Sequence, residues 1–372
     1  MPKVLISFLG TNNHKPCAYQ NSNVTSRITP YVQEALCEVH QISKAVVLCT
    51  EESQAKNWNE LSQRLSQSGV EAVHRRMPNC SSPQELWDLF KILQTVISEH
   101  DGYDIYLDIT HSFRHLPMLS LMAAILAKSL KKVQIGGIYY GAMEMIENSV
   151  TPVLYLQGLL DIHDWIVGLK LLEETGSIKH LESPLSNYLS KSNQNELIEG
   201  DYFERIMQLG WASQGLQNVY KELKKEADPD SVFSLVQDDL LSQIQWHSYG
   251  TLQKRQTARA WHYLSHRDYV RSVLFTVEAV ITGSLPENQQ KNFDKRETNR
   301  KDLCKRTQEF KTLCHLRNTL AHAANPEGQV PEITKREDKL YTWLDKTYRT
   351  LTNQKLLPSL GRESGGNIND KN

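Results

Sequence analysis

The clearest indication of the fold is one stretch of sequence, residues 103–114, which reads Tyr-Asp-Ile-Tyr-Leu-Asp-Ile-Thr-His-Ser-Phe-Arg. The first part of this stretch is rich in β-branched and aromatic side chains, which is typical of a buried strand. An almost wholly apolar run, Leu116–Ala127, follows within a few residues and predicts a helix packed against a sheet. A strand that leads directly into a packed helix is the repeating unit of parallel α/β sheets.

The same strand-then-helix pattern fills the rest of residues 1–160. Helical segments separate short apolar runs that predict further strands, at residues 3–9, 44–50, 70–73, 133–140 and 152–156. Strands alternating with helices of this kind predict a mostly parallel, Rossmann-like sheet.

From about Asp161 the strand pattern stops and only helical patterns remain. The predicted helices cover residues 162–172, 216–226, 232–244, 258–281, 303–320 and 335–348. The polar stretch Ser183–Gly200 predicts an irregular connection. The sequence therefore predicts an α/β domain followed by an all-α region, divided as a Rossmann-like domain (1–160), a helical connector (161–245), a helical domain (246–352) and a disordered tail (353–372).

Composition limits the class of protein. The 372 residues contain 42 Lys and Arg and 43 Asp and Glu, so a net charge of −1 argues against a chain that coats nucleic acid by bulk charge. Six cysteines without a C-x-x-C pair are typical of reduced thiols in a cytosolic protein. No apolar run reaches the roughly 20 residues of a membrane span. We expect a soluble, cytoplasmic protein with no membrane partner.

The ends of the predicted strands carry a candidate ligand site. Carboxyl ends of parallel strands meet at one edge of the sheet, where ligands collect. Hydroxyl, imidazole and guanidinium groups suited to phosphate stand there beside small residues: Gly10, Thr11, Asn12, Asn13, Thr50, Thr110, His111, Ser112, Arg114, Gly137 and Tyr140. The alternative is that Thr110 and Ser112 only cap a helix and that the glycines only form turns. Neither a G-x-G-x-x-G nor a Walker A loop is present, which disfavours a dinucleotide or triphosphate site.

Arg317, Asn318 and His322 are the candidate catalytic residues. Imidazole transfers protons near neutral pH, and a guanidinium stabilises charge on a phosphate, which suits metal-independent RNA cleavage with the RNA 2′-OH as nucleophile. In this scheme His322 moves the proton, Arg317 stabilises the phosphate and Asn318 orients either group. Five helical residues are about 500° of rotation, so Arg317 and His322 are about 140° apart on a straight helix. A loosened helix end before Asn325 would bring them together; the alternative is an ordinary exposed helix end.

Two basic clusters lie near these residues. Residues 291–306 hold seven Lys and Arg against three acids, and residues 246–271 hold five against one, interleaved with aromatic side chains. Cations beside aromatics suit single-stranded nucleic acid, although solvated helix faces with core aromatics are the alternative. The histidines at 262, 266 and 315, and the group Asp161–Asp164, lack a convincing ligand spacing, so we expect no metal site.

Two motifs resemble those of a known family. Asp108-Ile109-Thr110-His111-Ser112 resembles the D-x-T-H-G signature of CARF (CRISPR-associated Rossmann fold) proteins, with Ser112 in place of the glycine. The segment Arg317–His322 resembles the R-x4–6-H motif of HEPN ribonucleases. Their order along the chain is that of the CARF–HEPN effectors of type III CRISPR systems.

The resemblance implies a homodimer or higher homo-oligomer in which two CARF domains form one pocket for a cyclic oligoadenylate, most often the tetra- or hexa-adenylate. That activator would switch on a composite HEPN site that cuts single-stranded RNA without a cofactor, in antiviral defence. Arg317 and His322 would be catalytic, with Asn318 in support, and the strand-end residues would bind the messenger. A nucleotide-sensing regulator that binds RNA or protein without cutting is the alternative. Ring size, RNA preference and degradation of the messenger stay open.

Overall fold

The computed structural model describes residues 1–12, 15–111, 116–130, 133–322, 326 and 328–360. The chain divides into two compact units, Met1–His163 and Asp164–Asn372, with the boundary inside one helix. The first unit is α/β and the second is helical, as the sequence predicts.

In the first unit the described residues form an eight-stranded sheet in the order β3-β2-β8-β7-β6-β1-β4-β5. The strands are β1 (Lys3–Leu9), β2 (Ala18–Asn21), β3 (Val24–Thr25), β4 (Lys44–Cys49), β5 (Glu71–Arg76), β6 (Asp104–Asp108), β7 (Gln134–Gly141) and β8 (Val150–Tyr155). The five strands from β7 to β5 are mutually parallel, whereas β8 is antiparallel to β7. The predicted mostly parallel sheet is confirmed, but the small strands β2 and β3 were not predicted.

Helices cover both faces of this sheet. They are α1 (Val32–His40), α2 (Glu51–Ser53), α3 (Asn59–Gln67), α4 (Pro83–Ser98), α5 (Leu116–Ser129) and α6 (Gly158–Thr175), and a π-helical turn, Gln54–Trp58, joins α2 to α3. Alternate residues of β1 point to opposite faces, as the period of a strand requires. Ile6 packs in one core with α4 and α5, and Leu5 packs in the other with α1 and α3.

The strand order changes direction beside β1. From β1 the chain passes to β4 and β5 on one side, then crosses to β6 and β7 on the other. Connections that diverge in this way leave a crevice at the carboxyl ends of the two central strands. The ends of β1 and β6 therefore border the place where a ligand of an open α/β sheet binds.

The described part of the second unit is helical. Its helices after α6 are α7 (Glu182–Leu185), α8 (Lys191–Arg205), α9 (Leu209–Leu223), α10 (Val232–Ile244), α11 (Leu252–Ser265), α12 (Tyr269–Gly283), α13 (Phe293–Arg306), α14 (Gln308–His322), α15 (Val330–Thr334) and α16 (Glu337–Asn353). One hydrophobic cluster runs from Trp165 to Leu357 through all of these segments. The predicted connector (161–245) and helical domain (246–352) are therefore parts of one unit.

Three predicted segments differ from the structure. The predicted helix 258–281 is two helices, because Asp268 accepts a hydrogen bond from the backbone N–H of Arg271 and caps α12. The predicted helix 303–320 is likewise divided at Thr307. Within the stretch predicted to be irregular, Ser190 caps the helix α8.

The tail is the remaining difference. We predicted disorder from residue 353, yet Leu357 is buried in the helical core and the Leu356 carbonyl accepts a hydrogen bond from Gln253 at 3.0 Å. The order thus continues past α16, while residues 361–372 lie outside the described part. None of the described helices combines the length and apolar character that crossing a membrane requires.

Candidate functional site

The loops after β1 and β6 meet at the central crevice of the sheet. A Cβ atom built on Gly10 would lie 3.5 Å from the Cβ of His111, which is ordinary van der Waals contact. Thr11 is half-buried and Asn12 is exposed beside them. The predicted meeting of these two loops is therefore present within a single chain.

Asp108, the last residue of β6, is the centre of a hydrogen-bond network. Its Oδ2 accepts from the Ser7 hydroxyl at 2.6 Å, and its Oδ1 accepts from the Thr110 hydroxyl at 2.5 Å and the Thr110 backbone N–H at 3.0 Å. Burial raises the pKa of Asp108, and the bonds from Ser7 and Thr110 oppose that rise. The network ties the end of β6 to its neighbour β1.

Thr110 also joins β6 to β7. Its hydroxyl accepts a hydrogen bond from the backbone N–H of Gly141 at 2.7 Å. A side chain at Gly141 would have little room, because a Cβ there would lie 3.2 Å from the Thr110 Oγ1 and 3.3 Å from a methyl carbon of Val32. The hydroxyl of Thr110 is thus engaged in holding two strand ends.

Asn57 is a buried residue of the π-helical turn that the sequence analysis did not single out. Its Nδ2 donates to the Gly10 carbonyl at 2.8 Å and to the Asn12 carbonyl at 3.2 Å, so it holds the loop after β1. Nothing in the polar segment around residue 57 distinguishes this asparagine from its neighbours. The π-helical turn is a structural sign, because such turns are frequent at functional sites.

His111 is largely enclosed at this edge of the sheet. Burial lowers its pKa to about 4, because the charged imidazolium loses its hydration. At neutral pH the ring is therefore uncharged and can serve as a hydrogen-bonding group, not as a counter-ion for phosphate.

The other predicted ligand residues differ in how close they lie to the strand ends. Thr50 is buried and its hydroxyl accepts from the Ser53 backbone N–H at 3.2 Å, so it caps α2. Tyr140 lies near the end of β7 and donates to Glu144 at 2.7 Å. Gly137 was predicted at the strand end but lies in the middle of β7, paired with Tyr106, so that prediction is wrong. Asn13, Ser112 and Arg114 lie outside the described residues.

In the second unit, Arg317, Asn318 and His322 lie on α14. The Arg317 Nη1 donates to the Asn318 Oδ1 at 3.0 Å, and the Arg317 Nε is buried without a hydrogen-bond partner among the described residues. His322 is exposed and is the last residue of the helix. The helix is continuous from Arg317 to His322, and ideal helix geometry then separates the two side chains by about 140°. Residues 323–325, where we expected a loosened helix end, lie outside the described part.

The basic cluster at residues 246–271 is mostly structural. Arg259 is buried and its Nη2 lies 2.6 Å from the Glu204 carboxylate, which also accepts from the Tyr263 hydroxyl at 2.7 Å. Trp246 is buried as well, and Arg271 pairs with Asp268 at 2.5 Å. Arg259, Trp246 and Tyr263 therefore belong to the core, as in the alternative of core aromatics, whereas Lys254 and Arg267 are exposed.

The candidate metal residues are not arranged as ligands. His262 is buried, with its Nε2 3.1 Å from the Gly176 carbonyl, and burial lowers its pKa well below the usual value. Within the described ranges no group of three or more His, Cys, Asp or Glu side chains is arranged to hold a metal ion.

Comparison with known proteins concerns the part of the chain that contains the first site, at the ends of β1 and β6. Residues 4–144 match a CARF domain. The matching family is described as CRISPR system endoribonuclease Csx1, CARF domain. The chain is also 34% identical over 131 residues to the CRISPR-associated protein MJ1674 of Methanocaldococcus jannaschii, covering 31% of this chain and 21% of that relative. The match therefore spans about one fifth of the relative's length.

The CARF match contains the whole Asp108 network, from Ser7 to Gly141, together with Asn57. Arg317, Asn318 and His322 lie outside the matched residues. The strand-end site thus lies within the part of the chain that is similar to a CARF domain, and the candidate site on α14 depends on the chemistry of its own residues.

Proposed function

We propose that this protein is a cyclic-oligoadenylate-activated endoribonuclease of type III CRISPR antiviral defence, which acts in the cytoplasm as a homodimer and cuts single-stranded RNA without a metal. The observation that carries the proposal is the presence of Arg317, Asn318 and His322 at one helix end of a chain whose residues 4–144 match the CARF domain of a CRISPR endoribonuclease.

The messenger would bind at the ends of β1 and β6. The Asp108 network fixes the ends of β1, β6 and β7, and the absence of a side chain at Gly10 would allow close approach of a phosphate-linked ring at the crevice. Thr11 and Asn12 lie at the open side, and the neutral His111 can donate to or accept from the ligand. Thr110 would act mainly by fixing this edge, since its hydroxyl already serves Asp108 and Gly141.

The homodimer is supported by an exposed apolar stripe on α5. Met118, Met122 and Leu126 are 71%, 55% and 38% exposed and follow one another at intervals of four residues, which places them on one side of the helix. A continuous exposed apolar stripe marks an interaction surface. Because α5 follows the β6 edge of the messenger crevice, pairing through this stripe would bring two crevices together.

The nuclease site would likewise need two copies. Arg317 and His322 leave one continuous helix in different directions, so a second α14 supplies the missing partner for each. A histidine would take the proton of the RNA 2′-OH as that oxygen attacks phosphorus, while Arg317 stabilises the negative charge. The bond from phosphorus to the 5′ oxygen breaks, this oxygen takes up a proton and leaves as a 5′-OH, and a 2′,3′-cyclic phosphate remains.

A cleavage assay tests the proposal. Labelled single-stranded RNA is incubated with the protein in EDTA, with no activator, with cyclic tetra-adenylate and with cyclic hexa-adenylate. We expect cleavage only with one of the two rings, and its loss in His322→Ala. RNA binding without cleavage under every condition would replace the proposal with a non-cutting regulator.

A further inference from the structure

Phe293, the first residue of α13, is 78% exposed. A single apolar side chain at the surface needs no explanation by itself. Its surroundings distinguish it, because it stands between two lysines at residues 291 and 295, and Lys291 lines a shallow groove together with Glu287 and Asn288.

The two lysines differ from the other cations of this segment. Arg300, Lys301, Lys305 and Arg306 pair with acids of their own helix, and Arg296 pairs with Glu278 on α12.

Lys291 and Lys295 are exposed and form no ion pair with any described residue. The cations of the cluster that form no ion pair with a described residue therefore lie on the two sides of Phe293, where the acids Glu287 and Asp294 are also exposed.

The backbone under Phe293 is well held. Asn292 accepts a hydrogen bond from the Lys295 backbone N–H at 3.0 Å and so caps the helix. The Arg296 guanidinium donates to the Gln290 carbonyl at 2.8 Å as well as bonding Glu278. The aromatic ring is thus presented by a fixed helix end and not by a loose loop.

The hairpin of α13 and α14 places Phe293 at the same end as the candidate catalytic residue His322. The single residue Thr307 joins the two helices, which pack against each other, and Arg300 interacts with the Cys314 thiol across the hairpin. Residues 300 and 314 are each seven positions from the turn, so the helices run antiparallel. The start of α13 and the end of α14, with Phe293 and His322, therefore lie at the same end of the hairpin.

We propose that Phe293, Lys291 and Lys295 form a stacking platform for single-stranded RNA. A base stacks on the Phe293 ring, the lysines contact the phosphates on either side, and the Asn288 amide faces the base edge from the groove. One ring between two lysines that form no ion pair with a described residue fits a nucleotide, whereas a protein partner requires a far larger surface. The proposal rests on the proposed function, because the same strand would continue to the end of α14.

RNA binding by the full chain tests the platform. The parent is His322→Ala, which prevents cleavage, and the probe is a fluorescein-labelled 20-nucleotide RNA without secondary structure. We expect Phe293→Ala to weaken binding about tenfold, because base–aromatic stacking has an effect of that order, and Phe293→Tyr to retain it. We expect the double variant Lys291→Gln/Lys295→Gln to reduce the slope of log affinity against log salt by about 1.4, since each phosphate contact on a single strand contributes about 0.7.

Matched controls come from α9. Trp211→Ala removes a ring that is 63% exposed, and Lys221→Gln removes an exposed lysine, so both are expected to leave RNA affinity and the salt slope unchanged. Unaltered affinity in Phe293→Ala overturns the platform, and so does an absence of RNA binding by the parent. A changed oligomeric state of Phe293→Ala in sedimentation, with normal RNA affinity, assigns the ring to a protein contact and also overturns it.

The messenger-dependent cleavage assay separates this proposal from the one on which it rests. If the wild-type protein cuts RNA while Phe293→Ala binds normally, only the platform fails. If the wild-type protein never cuts RNA while Phe293→Ala loses binding, the nuclease proposal fails and the platform stands.

Discussion

The two candidate sites differ in how completely one chain builds them. At the β1–β6 crevice, the Asp108 carboxylate receives three hydrogen bonds and Thr110 receives one more from Gly141. At the end of α14, one hydrogen bond joins Arg317 to Asn318, and His322 is exposed. Folding of a single chain fixes the side chains at the crevice, whereas the side chains at the end of α14 are not joined into one site by a single chain.

This difference has a regulatory meaning under the proposed function. A sensor must bind its messenger whenever the messenger is present, so a preorganised edge is an advantage. A nuclease that destroys RNA must be inactive until it is switched on, so its groups are better left apart in a single chain. A ligand can produce such a switch only by favouring one arrangement of the two copies over another.

The largest expected effect comes from mixing two inactive variants. Arg317→Ala and His322→Ala should each reduce cleavage about a thousandfold, within the usual range for loss of an acid–base or charge-stabilising group. After subunit exchange, mixed dimers keep Arg317 on one copy and His322 on the other. If the site joins two copies, activity should recover to about a quarter of wild type, because half of the dimers are mixed and each holds one of two sites.

The same mixture can contradict the idea that the site on α14 needs two copies. A site made by a single chain would show no recovery, because neither copy in a mixed dimer has both groups. Mixing Arg317→Ala with itself, at the same total concentration and messenger level, is the control for the exchange procedure.

The second effect concerns the network at the crevice. Asp108→Ala removes the shared acceptor of the Ser7 hydroxyl and of the hydroxyl and backbone N–H of Thr110, and leaves Ser7 only its longer contact with the Phe8 carbonyl at 3.3 Å. Each donor left unsatisfied costs about 1–3 kcal/mol. We expect the free energy of unfolding of the first unit to fall by about 4 kcal/mol. Hydrogen exchange of amides in β1, β6 and β7 measures this unit separately from the helical one.

Asp101→Ala is the matched control, because Asp101 is an exposed aspartate just before β6. It should change stability by less than about 0.5 kcal/mol. Equal protection of the β6 amides in both variants would contradict a central role for Asp108.

The third effect is the pH dependence caused by His111. Its pKa is about 4 in the folded state and about 6.5 in an unfolded chain, so the unfolded chain binds more protons between these values. Stability of the first unit should therefore fall as pH decreases from about 6.5 to about 4, by up to about 3 kcal/mol. In His111→Gln this part of the decrease should disappear when the same amides are followed against pH. Parallel curves for the two proteins would show that burial does not hold the ring neutral.

Much of the crevice could be predicted because it depends on local sequence. A strand that ends in Asp108-Ile109-Thr110-His111 places an acid, a hydroxyl and an imidazole at the carboxyl edge of a parallel sheet. The turn of β1 at Gly10 reaches the same edge for the same reason. Here periodicity and topology determine position, and the prediction required no knowledge of side-chain contacts.

The failures have other causes. Gly137 was misplaced because it was grouped with the strand-end residues, although it stands inside the predicted strand 133–140. The break before α12 was missed because the apolar pattern continues across Asp268. The aromatic residues beside Arg259 were taken as a surface because composition does not show that Glu204, far away in sequence, neutralises that arginine. In this last case a long-range contact overrides a local pattern.

Asn57 gives the smallest expected effect and the most specific one. Its amide donates to the carbonyls of Gly10 and Asn12, and each hydrogen bond contributes about 0.5–1.5 kcal/mol. Asn57→Ala should therefore weaken messenger binding about tenfold, measured by calorimetry with cyclic tetra- and hexa-adenylate. Asn59→Ala, at an exposed asparagine two residues later, should bind as wild type.

Asn57→Asp distinguishes a bond from mere filling of space. Aspartate has nearly the same volume as asparagine, but its oxygens would face the carbonyl oxygens of Gly10 and Asn12 and repel them. If Asn57 acts through its donated hydrogen bonds, the aspartate variant should bind the messenger more weakly than the alanine variant. If Asn57 only fills space beside the loop after β1, the aspartate variant should bind more tightly than the alanine variant. The order of the two affinities thus decides whether one chain fixes this loop by hydrogen bonding.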